Sequence, residues 1–174
     1  MAKTQLAQLE AVFERAVQLV EPTHSFDAAA SQLLELFGSA LQCDWGTYWK
    51  VEGIVLVPKV TWSAPGVQAR ELEEDLRSRT LSSSEGTAGH VWRSRKPVLS
   101  VDIISDLCLP RSLKAERAGL HGGVWFALKT DRYVYGVIEL LGRSLSPSSD
   151  ELISGIEAVG MKFGRLIESQ TEGH

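Results

Sequence analysis

The chain has 174 residues, 44% of them apolar and 23% charged. That is one globular domain's worth of sequence, able to bury a real core and too apolar for disorder. Eighteen basic residues against 22 acidic ones leave a net charge of −4, so no whole-protein field gathers nucleic acid or an anionic lipid surface. No apolar run approaches the ~20 residues of a membrane span, and the mixed charged and apolar N-terminus is unlike a secretory signal. The two cysteines, Cys43 and Cys108, are too few for a structural zinc site, and a cytoplasmic setting is expected.

Residues 4–21 predict a helix in which Leu6, Leu9, Phe13, Ala16 and Val20 form one stripe that stops before Pro22. Ser25 is placed to cap a second helix, with Phe26, Ala30, Leu33, Leu34, Phe37 and Leu41 on its apolar face. The period then switches to two. Cys43, Trp45, Thr47, Trp49 and Val51 alternate with polar or small neighbours, and Glu52-Gly53 turns the chain into a second strand, Ile54 to Trp62. Pro58 marks that strand as an edge or a bulge. Residues 66–79 predict a half-exposed helix, and Ser82–Gly89 a loop entering a short helix that ends near Arg95-Lys96. A short strand from Pro97 to Val101 precedes an irregular stretch over 102–120, with a helical turn from Pro110 to Ala118. Two strands, Gly123–Lys129 and Tyr133–Leu141, then lead to a last helix striped by Leu152, Ile156, Val159, Phe163 and Leu166. Hairpins at both ends of the order, with helices segregated around them, predict an α+β fold on a mostly antiparallel sheet.

Several short motifs occur in a telling order. Gly86-Thr87-Ala88-Gly89-His90-Val91 is followed by Arg95-Lys96-Pro97-Val98 and Val101-Asp102. Asp106, Pro110-Arg111, Ala115 and Ala118-Gly119-Leu120 come next, then Tyr135-Gly136-Val137-Ile138-Glu139-Leu140 and Ser146-Pro147-Ser148-Ser149-Asp150-Glu151-Leu152. This succession resembles the GAF domain of bacterial signal-transduction proteins, in particular of sensor histidine kinases, over about residues 24–170. The resemblance implies a central antiparallel sheet of about six strands. It places the terminal helices on one face and a ligand pocket, covered by helices and loops, on the other. Residues 1–23 are then expected to be a signalling and dimerisation helix, 24–170 the GAF domain, and 171–174 an expression-tag remnant.

The pocket candidates are Trp62, Gly86, Gly89, His90, Trp92, Cys108, Arg111, Tyr135 and Glu139. Gly86 and Gly89 either ease a helix start or leave free N–H groups facing an anionic ligand group. Of the five tryptophans, Trp45 and Trp49 share a strand face and read as core, while Trp62 and Trp92 flank the segments expected to cover the pocket. Glu139, set among apolar strand residues, shares a face by alternation with Tyr133, Tyr135 and Val137. Its carboxylate needs either a protein partner, such as an arginine or a backbone N–H, or a ligand donor. His90 and His121 offer nitrogens to haem iron, yet a lone histidine is more often structural. Asp106-Leu107-Cys108-Leu109 carries half of a bilin-attachment motif. Haem and bilin are both disfavoured, and no resident cofactor or metal is expected.

With no G-x-S-x-G, P-loop or metal-ligand cluster, no enzyme class is indicated. The resemblance implies a non-catalytic sensor that binds a small molecule and relays its state through the terminal helices to an output domain. Two alternatives stand beside it. One is a degenerate module that only dimerises; the other is a free methionine sulfoxide reductase, which in this family works through several cysteines. The two helical stripes exceed what one small sheet can cover, so a homodimer is expected through Leu6, Leu9, Phe13, Ile156, Val159 and Phe163.

Overall fold

The computed structural model describes residues 2–106 and 111–172. Helix α1 (Ala2–Val20) ends in a 3-10 turn over Glu21–Thr23. Helix α2 (Phe26–Leu41) then starts on Ser25, whose Oγ accepts the Ala28 amide at 3.2 Å. Strands β1 (Trp45–Glu52) and β2 (Val55–Ser63) form a hairpin. Next come α3 (Arg70–Leu76), α4 (Gly86–Ser94), β3 (Val98–Ser100), α5 (Ile103–Asp106) and α6 (Ser112–Arg117). A second hairpin of β4 (Gly122–Lys129) and β5 (Val134–Gly142) precedes α7 (Asp150–Glu172), whose first turn is tied by the Leu152 amide to Ser149 Oγ.

The five strands make one sheet in the order β2-β1-β5-β4-β3, antiparallel throughout. Beyond β2 a single antiparallel bridge, Leu56 to Leu81, stands where a further strand would lie. The fold is therefore the expected α+β arrangement, with five strands instead of about six. Among the described residues no helix is long and apolar enough to cross a membrane.

Two apolar layers flank the sheet. On one face α1, α2 and α7 pack over Tyr48, Val124, Phe126, Leu128, Ile138 and Leu140. Phe163 of α7 sits at the centre of that layer, edge-on to Phe13 at 5.3 Å, Phe26 at 6.0 Å and Phe37 at 5.1 Å between ring centroids. This corrects the expected surplus of apolar helix surface. Leu9, Ile156, Val159 and Phe163 are buried inside one chain, and Leu6 and Phe13 are half-buried between α1 and α7. The two stripes cover each other, because α1 lies against both α2 and α7.

On the other face α3, α4, α5 and α6 cover Trp45, Trp49, Trp125, Val137 and Leu141, with Leu72, Leu76, Ala88, Val91, Ile103 and Ala115 filling the interface. Each of the three indoles is fully buried. Burying one such ring removes about 200 Å² from water, so this layer is cemented by aromatic surface more than by the short helices above it.

Candidate functional site

Sheet register gathers the polar residues of this second face. Thr47 on β1 stands opposite Glu139 on β5, and Glu139 stands opposite Trp125 on β4. Strand alternation then puts Trp45 and Trp49 on either side of Thr47, pointing the same way. Gly123 makes room for one member: a Cβ there would lie 2.3 Å from the Trp125 ring, so the bare backbone lets the indole fold down onto the sheet.

Glu139 is 1% exposed and is met by two protein donors. Arg111 Nη2 lies 3.0 Å from both carboxylate oxygens, and Trp125 Nε1 donates to Oε2 at 2.6 Å. Of the two sources of a partner for this carboxylate, the fold supplies an arginine from the protein. Arg111 is itself buried, with its guanidinium 5.4 Å from the centroid of the Trp49 ring. Its Nε stands 3.9 Å from Asp75 of α3. Asp75 accepts from Arg79 at 2.6 and 2.8 Å and from Lys114 at 2.9 Å. The Arg79 hydrogen bonds, with Lys114 behind them, hold the Asp75 carboxyl down at about 2 despite its burial. An ion chain thus runs from the sheet through Arg111 to α3 and α6. A second α3–α6 clasp, Arg117 to Glu71 at 2.6 Å, closes its outer side.

Three atoms on this face have no partner. Trp45 Nε1, Thr47 Oγ1 and Trp49 Nε1 are buried and make no hydrogen bond among the described residues. They belong to alternate residues of one strand, beside the Glu139 row. A buried polar group left unpaired costs about 1–3 kcal/mol, and native folds carry few of them. Three in succession on one strand are left without a hydrogen-bond partner among the described residues.

The remaining sequence candidates fall elsewhere. Trp62 lies on the opposite face, its ring packed against Gly38 of α2. The cause is a bulge. Trp49 pairs with Pro58 and Tyr48 with Val60, so Lys59 is an extra residue and everything after it on β2 changes face. Tyr135 is displaced for the same reason. Leu128 pairs with Gly136 and Lys129 with Val134, leaving Tyr135 as the extra residue of β5; its hydroxyl donates to Glu168 of α7 at 3.2 Å. His90 is exposed, with Nδ1 3.4 Å from Arg93 Nη2, and His121 is exposed too. Trp92 is half-buried at the rim of the α4 layer. Gly86 opens α4 at φ +65°, and a Cβ on Gly89 would meet the Ser82 carbonyl oxygen at 2.3 Å. Both glycines therefore serve the backbone of the loop-to-helix junction. Cys108 lies outside the described residues, as do Leu107, Leu109 and Pro110 of the loop motif.

Cys43 belongs to the other layer. Its thiol is buried at the end of α2, 3.7 Å from the Leu41 carbonyl oxygen, and burial with Asp44 beside it pushes the thiol pKa far up. No group of three or more His, Cys, Asp or Glu residues among those described is placed to hold a metal ion. Two cavities lined by described residues open away from the Glu139 row. One of about 210 Å³ lies between β3 and the start of α7, and another of about 380 Å³ lies beside Tyr48, Lys50 and Tyr135.

No protein-family model matches the chain, and no curated protein sequence does. Solved structures match it over nearly its full length. A free methionine-R-sulfoxide reductase from Neisseria meningitidis, in complex with its substrate, superposes with a TM-score of 0.72 at 12% identity, covering 97% of this chain and 93% of that one. The nlh2 GAF domain of A. aeolicus in an inactive state gives 0.72 at 14% identity, covering 95% and 99%. The GAF domain of a phosphoenolpyruvate-protein phosphotransferase from Coxiella burnetii gives 0.69 at 14%, covering 97% and 98%. The fold of this chain is the GAF fold.

Proposed function

We propose that this chain is a non-catalytic sensory GAF domain of a cytoplasmic signalling protein. It binds a small molecule on the sheet face beneath α3, α4 and α6, and passes its state to an output domain through α1 and α7. The observation that carries this reading is the run of three unpartnered buried polar atoms, Trp45 Nε1, Thr47 Oγ1 and Trp49 Nε1. Trp45, Thr47 and Trp49 are fully buried, so a ligand reaches them only as this face opens, and it shifts the protein only by its preference for the opened arrangement. Relay to the terminal helices has a physical route. Lys129 Nζ donates to the carbonyl of Arg95, which caps α4, and to Glu157 of α7. The output domain implied by the loop motifs of the sequence is a histidine kinase.

A reductase reading is weaker because Cys43, the cysteine within the described residues, is sealed in the opposite layer with its thiolate suppressed. A thermal-shift screen of cytosolic metabolites, repeated on W49F, tests the binding reading. A compound that raises Tm in the parent and not in the variant is expected; a library with no stabilising compound overturns it. Dithiothreitol-driven reduction of free methionine sulfoxide, compared with the Cys43→Ser, Cys108→Ser double variant, tests the competing one.

A further inference from the structure

We propose that α3 and α6 form one hinged cover, clasped to each other by ion pairs and latched to the sheet by Arg111 on Glu139, and that they lift together to open this face. The use of such a movement rests on the binding reading above; the movement itself needs no ligand and is tested without one.

Charge ties the two helices together. Lys114 of α6 donates to Asp75 of α3 at 2.9 Å, Arg117 donates to Glu71 at 3.1 and 2.6 Å, and Arg111 Nε lies 3.9 Å from the Asp75 carboxylate. Towards the sheet, the one ion pair made by these segments among the described residues is Arg111 to Glu139. Leu72 and Leu76 of α3 and Ala115 of α6 complete the seal.

The backbone marks the limits of the moving part. The Ala64 amide donates to the Asp44 carbonyl at 2.7 Å, and Leu56 and Leu81 exchange both amide hydrogen bonds, so residues 65–80 span two points fixed to the first hairpin. Beyond α6 the His121 amide donates to the Gly142 carbonyl at 2.9 Å. Gly66 at φ +88° and Gly119 at φ +80° lie just inside these fixed points, and a Cβ on either would meet nothing within 4 Å. Both have the room and the conformational range to take up a rotation.

Opening the helices one at a time separates Asp75, 9% exposed, from Lys114, and Glu71 from Arg117. Lifting both breaks a single ion pair and strands neither charge. Arg111 retains the Asp75 carboxylate, which travels with it, and Glu139 retains the Trp125 indole donor at 2.6 Å. An uncompensated buried charge is the costly outcome, and this division avoids it. The movement also takes the Arg111 guanidinium off the Trp49 ring, 5.4 Å away, and so uncovers Trp49 and Glu139. Helix α4 is held separately, because Lys129 ties its end to α7. Admission and relay thus fall to different helices.

Native-state hydrogen exchange on the ligand-free chain tests the cover. The readouts are the Glu73 amide of α3, bonded to the Ala69 carbonyl, and the Ala115 amide of α6, bonded to the Arg111 carbonyl, each at 3.0 Å. In the parent the two are expected to share one protection factor, below that of the β4 and β5 amides. In the Lys114→Gln, Arg117→Gln double variant, which leaves the sheet contacts in place, they should separate by about tenfold, the effect of losing hydrogen bonds between charged groups. Glu139→Gln should instead lower both by one common factor, again about tenfold. Values that already differ tenfold in the parent overturn the proposal, as do a pair matching the strand amides, a pair without protection, or values that stay equal in the double variant. A shared opening alongside a metabolite screen with no stabilising compound keeps the cover and removes the binding reading alone.

Discussion

Arg111 and Glu139, 28 residues apart, meet on the buried face of the sheet with the guanidinium Nη2 3.0 Å from each carboxylate oxygen. The side chains are 8% and 1% exposed, so neither charge can return to water if its partner is lost. Glu139→Ala is therefore expected to cost about 3–5 kcal/mol, because it strands a buried cation. Glu139→Gln keeps the shape and one acceptor, and should cost roughly 1–3 kcal/mol. Urea denaturation of the two variants and the parent measures both; equal, small losses would show that the pair contributes little.

Thr47 gives the opposite sign. Its hydroxyl is buried and unpartnered, so Thr47→Val exchanges an unspent polar group for a methyl of similar size. In the ligand-free protein this should raise stability by about 1 kcal/mol. A destabilised variant would mean that the hydroxyl has a partner in solution.

Much of this face is legible in the sequence, and the parts that are not have a common cause. The alternation Val137, Glu139, Leu141 runs without interruption, so the face of Glu139 follows from period two alone. The same holds for Trp45, Thr47 and Trp49. Trp62 and Tyr135 are misassigned because each follows or occupies a bulge, and one extra residue inverts the parity of all that lies beyond it. Pro58 signals the first bulge; no residue signals the second. The pairing of Arg111 with Glu139 is set by the packing of an irregular segment on the sheet, which no local period encodes. The helical stripes are read correctly as stripes. Their fate depends on α1 crossing both α2 and α7, a tertiary fact.

That tertiary fact changes what the stripe residues do when charged. Leu9 and Phe163 are fully buried within one chain, so Leu9→Glu and Phe163→Glu should unfold the protein, each by more than about 3 kcal/mol. Circular dichroism and size-exclusion chromatography together decide it. Variants that keep their native spectrum while halving in mass would instead restore these positions to a dimer interface.

Acid should loosen the cover of the site. Arg79 and Lys114 hold the Asp75 carboxyl at about 2, against an ordinary value of 3.8. A carboxyl lowered by folding contributes stability that is full above its unfolded value and lost as pH falls through the folded one. The contribution, about 2 kcal/mol, should therefore disappear between about pH 4 and pH 2. Melting temperatures measured across that window should fall more steeply for the parent than for Asp75→Asn. Parallel curves would mean that Asp75 is not the group responsible.

Lys129 is the most direct link between the cover of the site and the terminal helix. Its ammonium is nearly buried, with a side-chain exposure of 11%, and it divides its donors between the Arg95 carbonyl at the end of α4 and Glu157 at 2.8 Å on α7. Arg95 itself adopts φ +64° and reaches the Asp131 and Arg132 carbonyls of the β4–β5 turn, so the end of α4 is pinned on two sides. Close above, Gly164 lets α7 approach the Lys129 backbone, with a Cβ there falling 2.0 Å from the Lys129 carbonyl oxygen. Lys129→Met retains the apolar stem and removes both hydrogen bonds. The expected cost is about 1–2 kcal/mol, confined to local opening instead of the whole fold. Hydrogen exchange should show the amides of the last turn of α4 and those of α7 near Glu157 losing protection together. Loss at one helix with the other unchanged would break the proposed route from the site to α7.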